Sequence, residues 1–332
     1  MTTAALPTRP PLAARLRDDA WLAFAVRRLG RFVVSVWVLV TASFLMIHLV
    51  PGDPARASLG MNAPAETVAA RREALGLDQP LLTQYWDFLT GLLHGDLGTS
   101  TMSSLPVAQV IGDRLPATLQ LAVLAFVVVI AVAIPLGVTM AVLTRGGRRR
   151  GAELGFTTTS VLLAAVPEFL LAVILAYVFA VSLGWFPVAG NTDPGAAVLP
   201  VLALAIGPAA VLSRIVRVEM LAVLGEDFVR TARAKRLPPL RIYLRHALPN
   251  ALTATLTLGG LLLTTLVAST VLIENVFAWP GLGSQIVGSI LDRDYPMVQG
   301  IVLVYGALVL VVNLVVDVVL AVLDPRSTIK EG

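Results

Sequence analysis

Residues 115–144 run for thirty positions without one charged side chain. A helix rises about 1.5 Å per residue, and a bilayer's hydrocarbon core is about 30 Å thick. A run of this length is therefore a membrane-crossing helix before anything else. Its backbone can satisfy its own hydrogen bonds there, which an open strand cannot do in lipid. Comparable runs recur at residues 32–52, 154–183 (interrupted only by Glu168), 196–213 (ending at Arg214), 251–273 (ending at Glu274) and 295–316 (ending at Asp317, with apolar character to Leu323). Composition agrees: 14% of the chain is charged, against about 25% in a soluble domain, and the mean hydropathy is +0.83. The expected fold is an all-α integral membrane protein of six spans. Pro135, Pro167, Pro200 and Pro208 fall inside spans, where neighbouring helices can resatisfy the backbone.

The expected divisions are an N-terminal tail over 1–28, the first span over 29–52, an insertion over 53–114, a core over 115–326 holding the other five spans, and a tail over 327–332. Residues 1–20 read as a mobile tail. A signal peptide is the competing reading, but its apolar stretch would be about 7–15 residues, and the first run here is longer, so a first span is expected. Within the insertion, 65–75 and 80–93 have helical apolar spacing. Arginine placement fixes a side. With six spans the termini share one face, and twenty of the 25 Lys and Arg residues lie on it. Positive residues stay in the cytoplasm, so both termini are expected there.

The longest loop on that face, 214–250, carries Glu226 and Asp227 at the start of a helical stretch and Arg233, Lys235 and Arg236 at its end. Both sets complement the helix dipole. Pro238 and Pro239 stop the helix, and a second one over 240–248 leads through Pro249 into span five. A helix across the mouth of a bundle suits the docking of a soluble partner; a plain basic loop is the other reading.

Other features concern passage through the membrane. Glu168, Glu274 and Asp317 are acids within or at the ends of spans, where a charge costs about 2.5–3.5 kcal/mol at the bilayer centre. They are candidates for a pathway, or for helix-packing hydrogen bonds. Phe277, Trp279 and Pro280 lie in a Gly- and Pro-rich turn that is either an interfacial anchor or a re-entrant cap. His48, His94 and His246 are the only histidines and there is no cysteine, so no metal site is expected. No Gly-x-x-x-x-Gly-Lys-[Ser/Thr] loop, Gly-x-Ser-x-Gly elbow or His-Glu-x-x-His pair occurs. No ATP site, hydrolytic nucleophile or cofactor is expected in this chain, and nothing suggests a nucleic-acid partner. An ion-coupled transporter, with Glu168 as its titrating acid, and a membrane-embedded scaffold or enzyme are the alternatives.

The loop resembles the EAA coupling loop of binding-protein-dependent ABC importer permeases. Arg230-Thr231-Ala232 is similar to the Arg-Thr-Ala of the peptide and nickel subfamily, and the pattern's downstream Leu-Pro falls on Leu248-Pro249. The pattern's turn glycine falls on Arg236. Further matches follow in order: Arg27-Arg28-Leu29, the run from His48 to Pro54, Leu75-Gly76-Leu77-Asp78-Gln79-Pro80, Gly95-Asp96-Leu97-Gly98, Arg114-Leu115-Pro116-Ala117-Thr118, Leu183-Gly184-Trp185-Phe186-Pro187, the turn from Phe277 to Gly283, Arg293-Asp294-Tyr295-Pro296 and Leu323-Asp324-Pro325-Arg326. The resemblance implies import of dipeptides, oligopeptides or nickel, without catalysis in this chain. It implies a second, related permease, two ATPases carrying ATP and Mg, and an extracytoplasmic binding protein in a bacterial cytoplasmic membrane. Glu226, Asp227, Arg230, Thr231, Ala232, Arg233, Lys235, Arg236 and Leu237 would couple to the ATPases. Arg56, Arg71, Arg72, Asp78 and Asp87 would face the binding protein.

Overall fold

The computed structural model describes residues 19–49, 54–59, 63–74 and 76–323. The N-terminal tail to residue 18, most of the run from His48 to Pro54, and the C-terminal Asp324-Pro325-Arg326 lie outside these. The described chain is helical, with one isolated antiparallel bridge between Thr99 and Pro106. Helix α1 is Asp19–Leu49, so helical structure begins inside the segment read as a tail. Three short helices follow: α2 (Pro54–Leu59), α3 (Ala65–Ala74) and α4 (Leu81–Leu93). Helix α5 (Val107–Thr144) starts after Pro106, eight residues before the uncharged run, because its first two turns are amphipathic rather than apolar.

Then come α6 (Arg150–Ala165), α7 (Glu168–Leu175, prolonged by π-turns over Ala176–Ser182), α8 (Val198–Val223) and α9 (Asp227–Ala234). Helix α10 (Pro239–Arg241) passes through π-turns over Ile242–Ala247 into α11 (Leu248–Val276). Helices α12 (Leu282–Leu291) and α13 (Tyr295–Leu323) complete the chain.

Among the described residues five helices are long and apolar enough to cross a membrane, or six if α6 and α7 count together. That pair corrects the expected third span, because the two helices meet at 96° rather than running straight. Pro167 is the cause. It has no N–H to donate, and its ring drives Val166 out of the helical region (φ −75°, ψ 123°). Two other breaks are missing. Helix α8 continues ten residues past Ser213, carrying Arg214, Arg217 and Glu219, so the loop is shorter than expected. Pro249 does not interrupt the ribbon either, because it sits in the first turn of α11, where a missing N–H costs little.

The core lies where α5, α8 and α11 cross, with Leu121, Val129, Leu204, Leu212, Leu266 and Ile273 buried together. Lipid tails are as apolar as leucine, so spans associate through close packing and polar contacts rather than water exclusion. Gly137 of α5 lies so near α8 that a Cβ there would meet the Ser213 carbonyl oxygen and Val216 at 2.6 Å. Helix α1 stands at the edge. It leans on α13 through the Arg28–Asp317 ion pair at 2.7 Å, a Leu39 contact at Gly306, and hydrogen bonds between Ser43 and Gln299. Its other face exposes Leu22, Val26, Leu29, Val33 and Trp37, a helical stripe facing outward.

Candidate functional site: a seated helix and a buried hairpin

Helix α9 is amphipathic over only eight residues. Val229 and Ala232 are buried against Ala141, Met220, Leu224, Ile242 and Ala247. Phe228, Arg230, Thr231, Arg233, Lys235 and Arg236 are exposed. Glu226 occupies the N-cap position with extended backbone but makes no side-chain capping bond. Asp227 lies in the first turn, accepts from Arg230 at 3.1 Å, and offers its carbonyl to the Thr231 hydroxyl at 3.0 Å. That ion pair is open to water and contributes little.

The helix ends in a Schellman turn. The Leu237 N–H donates to the Ala232 carbonyl at 3.3 Å and the Arg236 N–H to that of Arg233 at 2.8 Å. This turn needs a left-handed residue, and Arg236 takes that conformation with φ 53°. The turn is kept although the glycine is gone, and Leu237 folds back onto the same apolar cluster.

Beneath α9 lies a polar brace that the sequence did not reveal. Arg217 of α8 donates to Glu153 of α6 at 2.6 Å and to the Thr144 hydroxyl at 3.0 Å, while Arg145 donates to the Leu224 carbonyl at 2.8 Å. These partners are more than sixty residues apart in the chain. Arg217 lies between Arg214 and Glu219 in a charged segment read as loop, so nothing in the sequence singled it out.

The second region is at the far end of α11, a helix of 29 residues. Phe277 and Trp279 are fully buried and Pro280 half-buried. Trp279 is therefore not an interfacial anchor. Its indole N–H donates to the Ala117 carbonyl of α5 at 3.0 Å. The Gly190 N–H donates to the Phe277 carbonyl at 2.9 Å, and the Leu282 N–H to the Thr118 hydroxyl at 2.9 Å. Glu274 is buried at the base of this turn and accepts from the Gly283 N–H at 2.6 Å and the Ser284 N–H at 3.2 Å.

The three intramembrane acids do not share a site. Glu168 opens α7 at the bend, half-buried and facing Ser269 of α11. Asp317 is held by Arg28, which also lies over the Phe24 ring. Asp294, which the sequence offered only as part of a family motif and without a role, is buried and gathers the Ser100 hydroxyl at 2.5 Å and the Thr101 N–H at 3.1 Å, clamping the insertion to the start of α13.

The candidates for an outer partner scatter over the insertion. Arg56 on α2 and Asp87 on α4 are exposed. Asp78 accepts from Arg72 at 3.1 Å, and Arg71 lies on α3 with its side chain outside the description. Helix α4 packs Tyr85 and Phe88 against Phe44 of α1, and turns Leu82 and Trp86 outward at 83% and 67% exposure. His48 meets the Phe44 carbonyl and the Gln84 side chain, and His94 meets the Thr90 carbonyl. Among the described residues no three His, Cys, Asp or Glu side chains gather.

The model for binding-protein-dependent transport system inner membrane components matches residues 133–329, and the model for the N-terminal part of such components matches residues 21–122. A putative peptide transport system permease protein of Brucella suis biovar 1 is 39% identical over 312 residues, 92% of this chain and 98% of the relative. A glutathione transport system permease protein of Salmonella typhi is 37% identical over 309 residues, 93% of this chain and all of the relative. A chain of the MetNI methionine ABC transporter, solved in inward-facing conformations, superposes with a TM-score of 0.54 at 20% identity, covering 65% of this chain and 97% of that one. That likeness concerns the fold alone.

Proposed function

This chain belongs to the binding-protein-dependent transport system inner membrane components and is the permease component of an ABC importer, and from that premise we propose how its parts divide the work. The observation that carries the reading is α9. Val229 and Ala232 seat it on a platform whose α5, α6 and α8 ends the Arg145 and Arg217 contacts tie together, and its remaining side chains face outward. A helix held this way transmits a push to α5, α6 and α8 without collapsing. The partner is an ATPase subunit, one on this chain and one on a second, related permease. Exposed Phe228 supplies an apolar anchor, and Arg233, Lys235 and Arg236 supply positive charge at its rim.

Counting α6 and α7 as one bent crossing gives six spans, with both termini and α9 in the cytoplasm. The insertion with α4 then lies outside, where Arg56, Arg71, Arg72, Asp78 and Asp87 are the candidates to contact a binding protein that delivers substrate. The substrate is a short peptide, a reading supported by relatives named for peptide and glutathione transport. Glu168, at the bend beside the core, is the acid placed to meet a peptide's cationic amino end.

The test is ATP hydrolysis by the complex in lipid nanodiscs with its binding protein, comparing di-, tri- and longer peptides with nickel ions. Stimulation by one class of peptide length is expected. Stimulation by nickel alone moves the substrate to a metal. If no ATPase co-purifies and uptake follows an ion gradient, the coupling reading fails.

A further inference from the structure

We propose that Glu274 is a positioning residue that locks the turn from Phe277 to Gly283, and with it α12, onto α5 and α11, so that this end of the permease is a fixed wall and not a gate that opens during transport. The second half rests on the importer reading; the first does not.

A carboxylate in the last turn of a helix faces the negative end of that helix's dipole. In α11 that is where Glu274 lies, with no exposure at all. Its place makes sense only through α12. The N–H groups of Gly283 and Ser284 lie in the first turn of α12, and both point at Oε2. The unfavourable end of one helix is thus answered by the favourable end of the next, folded back over it.

The glycines fit this purpose rather than turn flexibility. Neither Gly281 (φ −100°) nor Gly283 has positive φ, and the left-handed residue of the turn is Ala278 (φ 45°). A Cβ on Gly281 would run into the Glu274 carboxylate. One on Gly283 would strike the Val271 backbone and come within 2.9 Å of Glu274 Oε2. Both positions are bare so that backbone and carboxylate can meet.

From this joint the ties run outward. Trp279 and Leu282 bond to Ala117 and Thr118 of α5, Phe277 to Gly190, and the Asn275 amide bridges the Val271 and Gly283 carbonyls at 2.7 and 3.1 Å. Opening the turn would strand all of these groups in a low-dielectric setting, where an unpaired one costs about 1–3 kcal/mol. The other carboxylate oxygen, Oε1, is buried without a hydrogen-bond partner among the described residues, and the carboxyl group has the Thr118 and Thr270 side chains near it. An amide nitrogen can replace it without disturbing Oε2.

The chain has no cysteine, so spin labels can be placed on an otherwise native background. Gly112→Cys on α5 has open space around its Cβ, and Ile290→Cys on α12 is exposed. Electron–electron distances between these labels are measured in the complete complex. A narrow distribution is expected in the parent and in Glu274→Gln, and a broadened one in Glu274→Ala. An Ala variant as narrow as the parent overturns the positioning role. On trapping with ATP and vanadate, the parent distance is expected to stay within about 2 Å, while a pair on α6 and α7 moves. A shift in the 112–290 distance overturns the fixed wall. In Glu274→Ala, ATP hydrolysis persists while uptake per ATP falls at least about fivefold; equal loss of both means a merely structural role. If ATP drives no uptake in the parent, the importer reading fails, and the resting distances still decide what Glu274 does.

Discussion

Arg236 holds a backbone conformation that an L-residue adopts at about 1–2 kcal/mol, and that glycine adopts freely. Its side chain is exposed, so no packing inside this chain offsets the strain. Arg236→Gly is expected to stabilise the turn by about 1 kcal/mol, seen as slower amide exchange at 236–238. Faster exchange would mean that the arginine contributes more to the turn than its backbone costs. If the side chain also meets an acidic ATPase surface, the same variant weakens ATPase binding and flattens its salt dependence. Arg28 and Asp317 pose a different case, since each is the other's compensation between α1 and α13. Asp317→Ala leaves the guanidinium without its ion-pair partner and is expected to lower unfolding free energy by about 2 kcal/mol. Arg28→Met with Asp317→Leu recovers most of that in a double-mutant cycle. A neutral Asp317→Ala would show that Arg28 reaches water without help.

Between helices, sign matters as much as size, and two glycines of α5 separate the effects. Gly112 has nothing within 4 Å of a built Cβ, whereas Gly137 abuts the α8 backbone. Alanine at 112 stiffens the unfolded chain and favours helix, and is expected to stabilise by about 0.5–1 kcal/mol. Alanine at 137 gains the same propensity but pushes α5 off α8, for a net loss of about 1–3 kcal/mol. Thermal unfolding of both variants in one detergent checks the pair, and matching signs would refute the close-packing account. The bend between α6 and α7 comes from Pro167, and its position was readable while its size was not. A proline inside a spanning helix often yields a modest kink, because neighbours resatisfy the freed carbonyl. Here the ribbon turns through 96°, and Glu168 starts a new helix beside Ser269.

At the scale of the whole molecule, α9 is attached to the bundle by very few side chains. Val229→Asp places an unpaired charge in the cluster formed with Met220, Leu224 and Ile242. It is expected to unseat α9 and abolish ATPase binding, while α5, α8 and α11 keep their core. Retained binding would show that the exposed charges suffice. The cysteine-free chain also tests orientation directly. In intact cells a maleimide that does not cross membranes should label His94→Cys and spare Lys235→Cys. The reverse pattern inverts the topology.

The sequence by itself determined that this is a helical membrane protein, where its apolar helices lie, and which segment forms the small basic helix. Those properties depend on hydrophobicity and charge counted along the chain, and in lipid few backbone solutions exist. The resemblance of ordered short motifs added the family. Only the tertiary structure decided the roles of the single acids. Glu274, Asp317 and Glu168 look alike in sequence, yet one is clasped by backbone N–H groups, one is paired with Arg28, and one stands at a bend. The Arg217 brace and the Asp294 clamp were hidden for the same reason, with partners 64 and 194 residues away. Periodicity records what a residue does to its own helix. What a buried charge does depends on the group that folding brings opposite it, and that pairing is not local.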